Sequence, residues 1–433
     1  MILAAVLLVL QAPSLDRTEQ RIRTTITAAR DEQIAYLQRV VDIPSSTLNF
    51  DGVRKVGAVF HASFDSLGFT TTWATVPDEV GRAGHLVAEH RGKAGAVRLL
   101  LIGHLDTVVE PGGASWVREG SMARAVGGAD MKGGDVVILY ALKALKAAGV
   151  LRDMNVVVVF TGDEEHPGEP LSEARRALLD AGKKSDIALA FEAGNRSDAT
   201  VARRGASAWR VTATGHQAHS AGVFSEGAGY GAIYEVARIL DAFRQQLGGE
   251  QYLTFNSAII VGGTDVNYDT VAISGSASTK LNIIPSKAVA HGDLRFISDE
   301  QLQRTRRRMR DIVAQHLPGT DASITFRDEY PAMSPTPGNA RLLAVYDSAS
   351  KALGYGTVAA LDPGRRGAGD ISFVAPMIDG LDGLGVMGTG SHGPNERVDL
   401  ETLTMQTERA AVLMYRLAKR PASQFTRTST EAN

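Results

Sequence analysis

The apolar positions of this chain change their period along its length. Ile22, Ile26, Ala29, Ile34, Leu37 and Val40 recur at helical spacing, which predicts one amphipathic opening helix from Asp16 to Val41. Three near-continuous apolar runs follow: VRLLLIGHLDTV, MNVVVVFTGDEE and DIALAFEAG. Between them stand two helical stretches, MKGGDVVILYALKALKAAG, which Gly149 would close, and SEARRALLDAG. The stretch GGASWVREGSMARAVGGAD reads as a loop. Apolar strands alternating with helices predict an α/β fold with a doubly wound, mostly parallel sheet.

The pattern then shifts. ASAWRVTATG alternates apolar and polar residues like a half-exposed strand, and GYGAIYEVARILDAFRQQL is an amphipathic helix. YLTFNSAIIVGGT and STKLNIIPSKAVAHGDLRFI are strand-like, DEQLQRTRRRMRDIVAQHL is a charged helix, and ASITFRDE is another strand. After Pro331 the α/β character returns. The expected organisation is a catalytic domain in two parts, 15–205 and 329–421, interrupted by an α+β domain at 206–328, with a signal peptide over 1–14 and a disordered tail at 422–433.

Composition narrows the function classes. The 433 residues carry a formal net charge of -2, so no global field favours nucleic acid or an anionic membrane. The cluster of arginines in RTRRRMR has counter-charges at Asp299, Glu300 and Asp311, the pattern of a solvated helix face. With no cysteine, disulfides, thiolate metal sites and cysteine nucleophiles are excluded, and any metal falls to His, Asp and Glu. The leading MILAAVLLVLQAPS is too short to span a bilayer and has the form of a secretory h-region, though without a basic n-region, which predicts an exported, periplasmic or secreted protein without a membrane anchor in its mature form, with a cytoplasmic protein as the alternative.

The candidate chemistry sits where the apolar runs stop. His104 and Asp106 end one strand, Glu164 and Glu165 follow another, Glu192 a third, Asp130 follows a glycine pair, and His392 lies late in the chain. Singly, each has an ordinary reading as a cap, a turn former or a solvated charge. Together they converge at the carboxyl ends of the strands of a doubly wound sheet. So many carboxylates repel one another unless cations lie between them, and imidazole with carboxylate suits zinc, with cobalt or manganese as alternatives.

GHLDTV, GGADMKGG, TGDEE, FEAG and GSHGPNERVD, in this order, resemble the M20 family of dinuclear zinc peptidases and aminoacylases. The resemblance implies two Zn(2+) per subunit: one held by His104, Asp130 and Glu192, the other by Asp130, Glu165 and His392. It implies Glu164 as general base and Asp106 as the partner orienting His104. The inserted domain would be a ferredoxin-like lid and dimerisation domain. His219 in GHQAHSAG would reach across a homodimer to stabilise the oxyanion, while Asn282, Arg295 and Gly369, beside Asp370, would bind substrate. The implied reaction is hydrolysis of an amide next to a free carboxylate in a peptide or N-acyl amino acid. A dipeptidase or a non-catalytic binding member is the alternative. Arg327 stands at a shifted position relative to the family's second substrate arginine, and no lysine after FEAG marks a glutamate side chain.

Overall fold

The computed structural model describes residues 14–112 and 115–425. The proposed signal segment therefore lies outside the described residues, apart from Ser14. Tertiary contacts divide the chain into two compact units, one of residues 1–201, 335–362 and 373–433, the other of 202–334 and 363–372. The second unit thus takes in more than 206–328: both flanks join it, as does a segment that returns to it after residue 362.

In chain order the larger unit contributes β1 (Thr70–Ala74), β2 (His85–His90), β3 (Arg98–His104), β4 (Asn155–Thr161) and β5 (Ile187–Ala190). The second unit follows with β6 (Gly205–Gly215), β7 (Thr254–Gly263), β8 (Lys287–Phe296) and β9 (Thr320–Asp328), and the larger unit resumes with β10 (Asp379–Leu381). The longer helices are α1 (Arg17–Ala28), α2 (Arg30–Val41), α3 (Phe50–Leu67), α4 (Gly133–Ala147), α5 (Ala232–Leu247), α6 (Asp299–Val313), α7 (Pro337–Leu353) and α8 (Leu400–Ala418).

The central sheet runs β1-β2-β4-β3-β5-β10, with β4, β3, β5 and β10 parallel and β2 antiparallel to both its neighbours. The apolar runs of β3, β4 and β5 are buried because α3 packs on β1 and β2, α4 on β3, and the short helix Arg176–Lys183 on β4. Phe60 of α3 meets Phe160 of β4 edge to face at 5.1 Å. Gly103 lets α4 come close: a Cβ there would fall 2.0 Å from an Asp135 oxygen.

Three local expectations are corrected. The opening helix is two helices, broken at Ala29; the five-residue step from Ala29 to Ile34 interrupts the helical spacing there. The stretch read as a loop contains the strands Val117–Glu119 and Met122–Arg124, which pair with each other; the second also pairs with Arg397–Asp399, and that in turn with Gly388–Thr389. Order also continues past 422, since Ala422–Gln424 form a helical turn and Phe425 is buried.

The second unit is a β-α-β-β-α-β arrangement with sheet order β7-β8-β6-β9, antiparallel throughout, which is the ferredoxin-like topology. Trp209, Val211 and Ala213 alternate inward from β6 onto a core that includes Phe243 of α5 and Met309 of α6. Among the described residues no helix is long and apolar enough to cross a membrane.

Candidate metal centre

Seven of the residues singled out in the sequence meet in the larger unit, at the carboxyl ends of β3, β4 and β5. β3 delivers His104, buried. Its Nδ1 bonds the main-chain oxygen of Asp106 at 3.0 Å and lies 3.4 Å from Oδ1 of the same residue. That carbonyl fixes the ring proton on Nδ1. Nε2 is left buried and without a hydrogen-bond partner among the described residues, 3.4 Å from Asp130 and 3.8 Å from Glu192.

His392 approaches from the other side. Its Nε2 lies 3.2 Å from Asp130 Oδ2 and 3.4 Å from Glu165 Oε2, whereas His104 faces Asp130 Oδ1. Asp130 therefore offers one oxygen to each imidazole. Ligand atoms of His104, Glu164 and Glu192 lie within 4.8 Å of one another, as do those of His104, Asp130 and Glu165.

Local structure explains these placements. The small sheet described above joins residues 117–124 to 388–399, and His392 lies in the loop between its strands Gly388–Thr389 and Arg397–Asp399. The turn that carries Asp130 is gripped by Glu396, whose buried carboxylate accepts the amides of Gly127 at 2.7 Å, Ala129 at 2.8 Å and Asp130 at 3.0 Å. The Asp130–Met131 peptide is cis. Asp106 grips the glutamate pair in the same fashion: its carboxylate accepts the amides of Glu164 at 3.0 Å and Glu165 at 3.1 Å, and the Thr47 hydroxyl at 2.6 Å. Its carboxylate thus organises the Glu164–Glu165 turn while lying beside His104, whose Nδ1 is also bonded to the Asp106 backbone.

The electrostatics call for cations. Burial opposes ionisation of Asp130, but the imidazoles of His104 and His392 beside it outweigh burial and hold its carboxyl far below the usual range. Burial, with Asp130 and Asp106 nearby and only partly offset by His104, pushes Glu165 up to about 8. The hydrogen bond with Asp130, against burial, lifts His392 to about 9. His104 is drawn down by burial but raised well above its ordinary value by Asp106, Asp130 and Glu192. Without metal the cluster keeps protons on groups that ordinarily lose them, and divalent cations are the natural replacement for those protons. A buried imidazole nitrogen with no partner and a carboxylate divided between two imidazoles fit a pair of such ions.

Sequence reasoning passed over Glu396, although GSHGPNERVD contains it four residues after His392. It also passed over Lys132, buried with its ammonium on the Ile43 carbonyl at 2.9 Å, and Thr47. A carboxylate that accepts only backbone amides leaves no mark in a sequence beyond its place in a motif.

The remaining candidates belong to the second unit. Ser220 donates its amide to the Asn282 carbonyl at 2.9 Å, so the His219 and Asn282 segments are neighbours there. His219 Nδ1 accepts the Ala221 amide at 3.2 Å. Arg295 is paired with Asp293 at 2.9 Å and lines a cleft of about 520 Å³ with Arg204, Arg366 and Asn256. Gly369 packs on Arg203, whose guanidinium reaches the carbonyls of Gly367 at 3.0 Å and Ala368 at 2.5 Å.

Such a donor cluster, at the carboxyl edge of a mainly parallel sheet and in a chain that also carries a ferredoxin-like unit, defines a metallohydrolase architecture. The sequence profile of Peptidase family M20/M25/M40 matches residues 100–418, and the chain belongs to this family of hydrolases. Carboxypeptidase G2 of Pseudomonas sp. (strain RS-16) is 28% identical over 414 residues, covering 92% of each chain. A succinyl-diaminopimelate desuccinylase of Gluconacetobacter diazotrophicus is 25% identical over 405 residues, covering 90% of this chain and 98% of the relative. Among solved structures, aminopeptidase PepT from Bacillus cereus superposes with a TM-score of 0.70 at 18% identity, covering 90% of this chain and 99% of its own. A dinuclear metal-binding M20 peptidase from Bacillus subtilis superposes with a TM-score of 0.63 at 14% identity, covering 91% and 99%.

Proposed function

We propose that the chain is a zinc-dependent amidohydrolase that cleaves an amide next to a free carboxylate, releasing an amino acid from an N-acyl amino acid or a peptide C-terminus. The observation that carries this reading is Asp130 facing His104 with one oxygen and His392 with the other. His104, Asp130 and Glu192 would hold one ion, and Asp130, Glu165 and His392 the other. Bound ions polarise the scissile carbonyl and ease deprotonation of water.

Glu164 takes the proton of the attacking water and returns it to the leaving amine, a general base that then acts as acid. Asp106 keeps that carboxylate in place through the backbone of the turn. In the second unit, acceptance of the Ala221 amide at Nδ1 puts the proton of a neutral His219 on Nε2, the donor an oxyanion needs. The cleft with Arg204, Arg295 and Arg366 supports a substrate carboxylate, since three guanidiniums there face one aspartate, Asp293. Asn282 and Gly369 complete the substrate-binding set. We propose a homodimer in which His219 serves the partner's site, and export directed by the apolar start of the chain.

The test is release of free amino acid from a panel of N-acyl amino acids, C-terminal dipeptides and acyl-glutamates by chelated protein, with and without added zinc. Zinc-restored hydrolysis is expected. No release from any substrate by protein shown to hold two ions would overturn the reading.

A further inference from the structure

The turn bearing Glu164 and Glu165 is held from a second side by groups that neither face the metal cluster nor belong to it. Asp163, the residue before the pair, is fully buried. Its Oδ1 accepts Arg175 Nη1 at 2.6 Å, its Oδ2 accepts the Gly168 amide at 2.9 Å, and its main-chain carbonyl accepts Arg175 Nη2 at 3.1 Å. Arg175 has no solvent exposure either, and its guanidinium lies 5.3 Å from the Phe373 ring centre. It stands at the junction of the short helices Leu171–Ala174 and Arg176–Lys183.

The rest of the turn is equally confined. The Gly162 amide donates to His85 Nδ1 at 3.2 Å, and a Cβ at Gly162 would fall 2.3 Å from the Gly84 carbonyl. Arg82 holds the outer limb through the carbonyls of His166 at 2.7 Å and Pro167 at 3.1 Å.

An ion pair taken wholly out of water is weak evidence for stability, because desolvation of both charges offsets most of their attraction. What the pair does provide is direction. The guanidinium fork grips side chain and backbone of one residue, and so leaves little freedom in the orientation of the peptide that follows. From the inner side Asp106 holds the amides of Glu164 and Glu165. Successive side chains along the turn then have assigned directions: Asp163 into the protein, Glu164 and Glu165 toward the cluster.

We propose that Arg175, acting through Asp163, is a positioning residue that sets the Glu164–Glu165 carboxylates for metal binding and proton transfer. The proposal rests on the hydrolase reading for its kinetic consequence and on the cluster alone for its metal consequence. Groups that orient metal ligands from behind typically change metal affinity 10–100-fold when altered, and small misplacement of a reacting group costs roughly 100-fold in rate.

The experiment uses full-length protein loaded with cobalt or zinc, comparing wild type with Arg175→Lys, Arg175→Met and Asp163→Asn. The expected result for Arg175→Met is tenfold or greater loss of affinity for the more weakly held ion and a changed visible spectrum of the cobalt form. On a substrate that wild type hydrolyses, kcat falls about 100-fold with KM within about threefold, and Arg175→Lys recovers part of the loss. If Arg175→Met does not fold, Arg175→Lys and the isosteric Asp163→Asn carry the same comparison. Folded variants with wild-type affinity, spectrum and kcat overturn the proposal. So does a lowered melting temperature with those three readouts unchanged, which marks a purely structural pair. Changed affinity and spectrum in a protein whose wild type hydrolyses nothing would uphold the positioning role and reject the hydrolase reading.

Discussion

Asp106 accepts the amide hydrogen of Glu164 at 3.0 Å across 58 residues of chain. Through this bond the end of β3 dictates the path of the turn after β4, and two of the sequence's most conspicuous motifs become one object. Asp106→Asn replaces an acceptor oxygen by an amide that opposes the Glu164 or Glu165 N–H. The expected cost is about 2 kcal/mol of stability, read by denaturant unfolding of metal-loaded protein, together with a fall in kcat. Unchanged unfolding and unchanged kcat would contradict the role assigned to the carboxylate.

Neighbouring glutamates should respond differently to the same substitution. Glu164→Ala is expected to keep both ions and lose roughly 10²–10⁴-fold in kcat, the range ascribed to general acid–base catalysis. Glu165→Ala is expected to lose one ion. Metal analysis beside steady-state kinetics separates the two, and an identical metal content in both variants would argue against their division of labour.

Metal uptake should depend on pH with a definite sign. Glu165, pushed up to about 8, and His392, lifted to about 9, hold protons at neutral pH unless a cation displaces them. Binding therefore releases protons, and apparent affinity rises with pH until both groups are deprotonated, near 9. Titration calorimetry of chelated protein in buffers of different ionisation enthalpy measures the release directly. Affinity that falls between pH 6 and 9 in a non-complexing buffer would show that these groups are not displaced by metal.

Gly103 and Asp135 form a steric pair. A Cβ at 103 would meet an Asp135 oxygen at 2.0 Å, so Gly103→Ala is expected to destabilise the protein by about 1–3 kcal/mol. Asp135 is buried, its two oxygens have no hydrogen-bond partner among the described residues, and burial holds its carboxyl well above the ordinary range. Asp135→Ala should relieve the clash, so the double variant is expected to be more stable than the two single effects predict. Additive effects in that cycle would show that the backbone, not Asp135, accommodates the methyl group.

The parallel core was legible because the interiors of β3, β4 and β5 are apolar on both faces, and such runs have few other uses. The ligand-type residues were legible because they stand where those runs end. The division of the opening helix was less so, since one misplaced apolar step weighs little in a long pattern. The strands Val117–Glu119 and Met122–Arg124 escaped because each is only three residues long and the sheet they belong to is completed by Arg397–Asp399, far along the chain. The Arg175–Asp163 pair escaped for another reason: buried charge looks, in a sequence, like surface charge.

The small sheet that couples the Asp130 turn to the His392 loop sets an order of events in the life of the chain. The bond from the Gly127 amide to Glu396 spans 269 residues. A ribosome-bound chain that has finished the central strands still has its second imidazole unsynthesised, so however far it has folded its cluster is incomplete. The ability to act arrives with the last strand, which makes the carboxyl-terminal segment a certificate of completion.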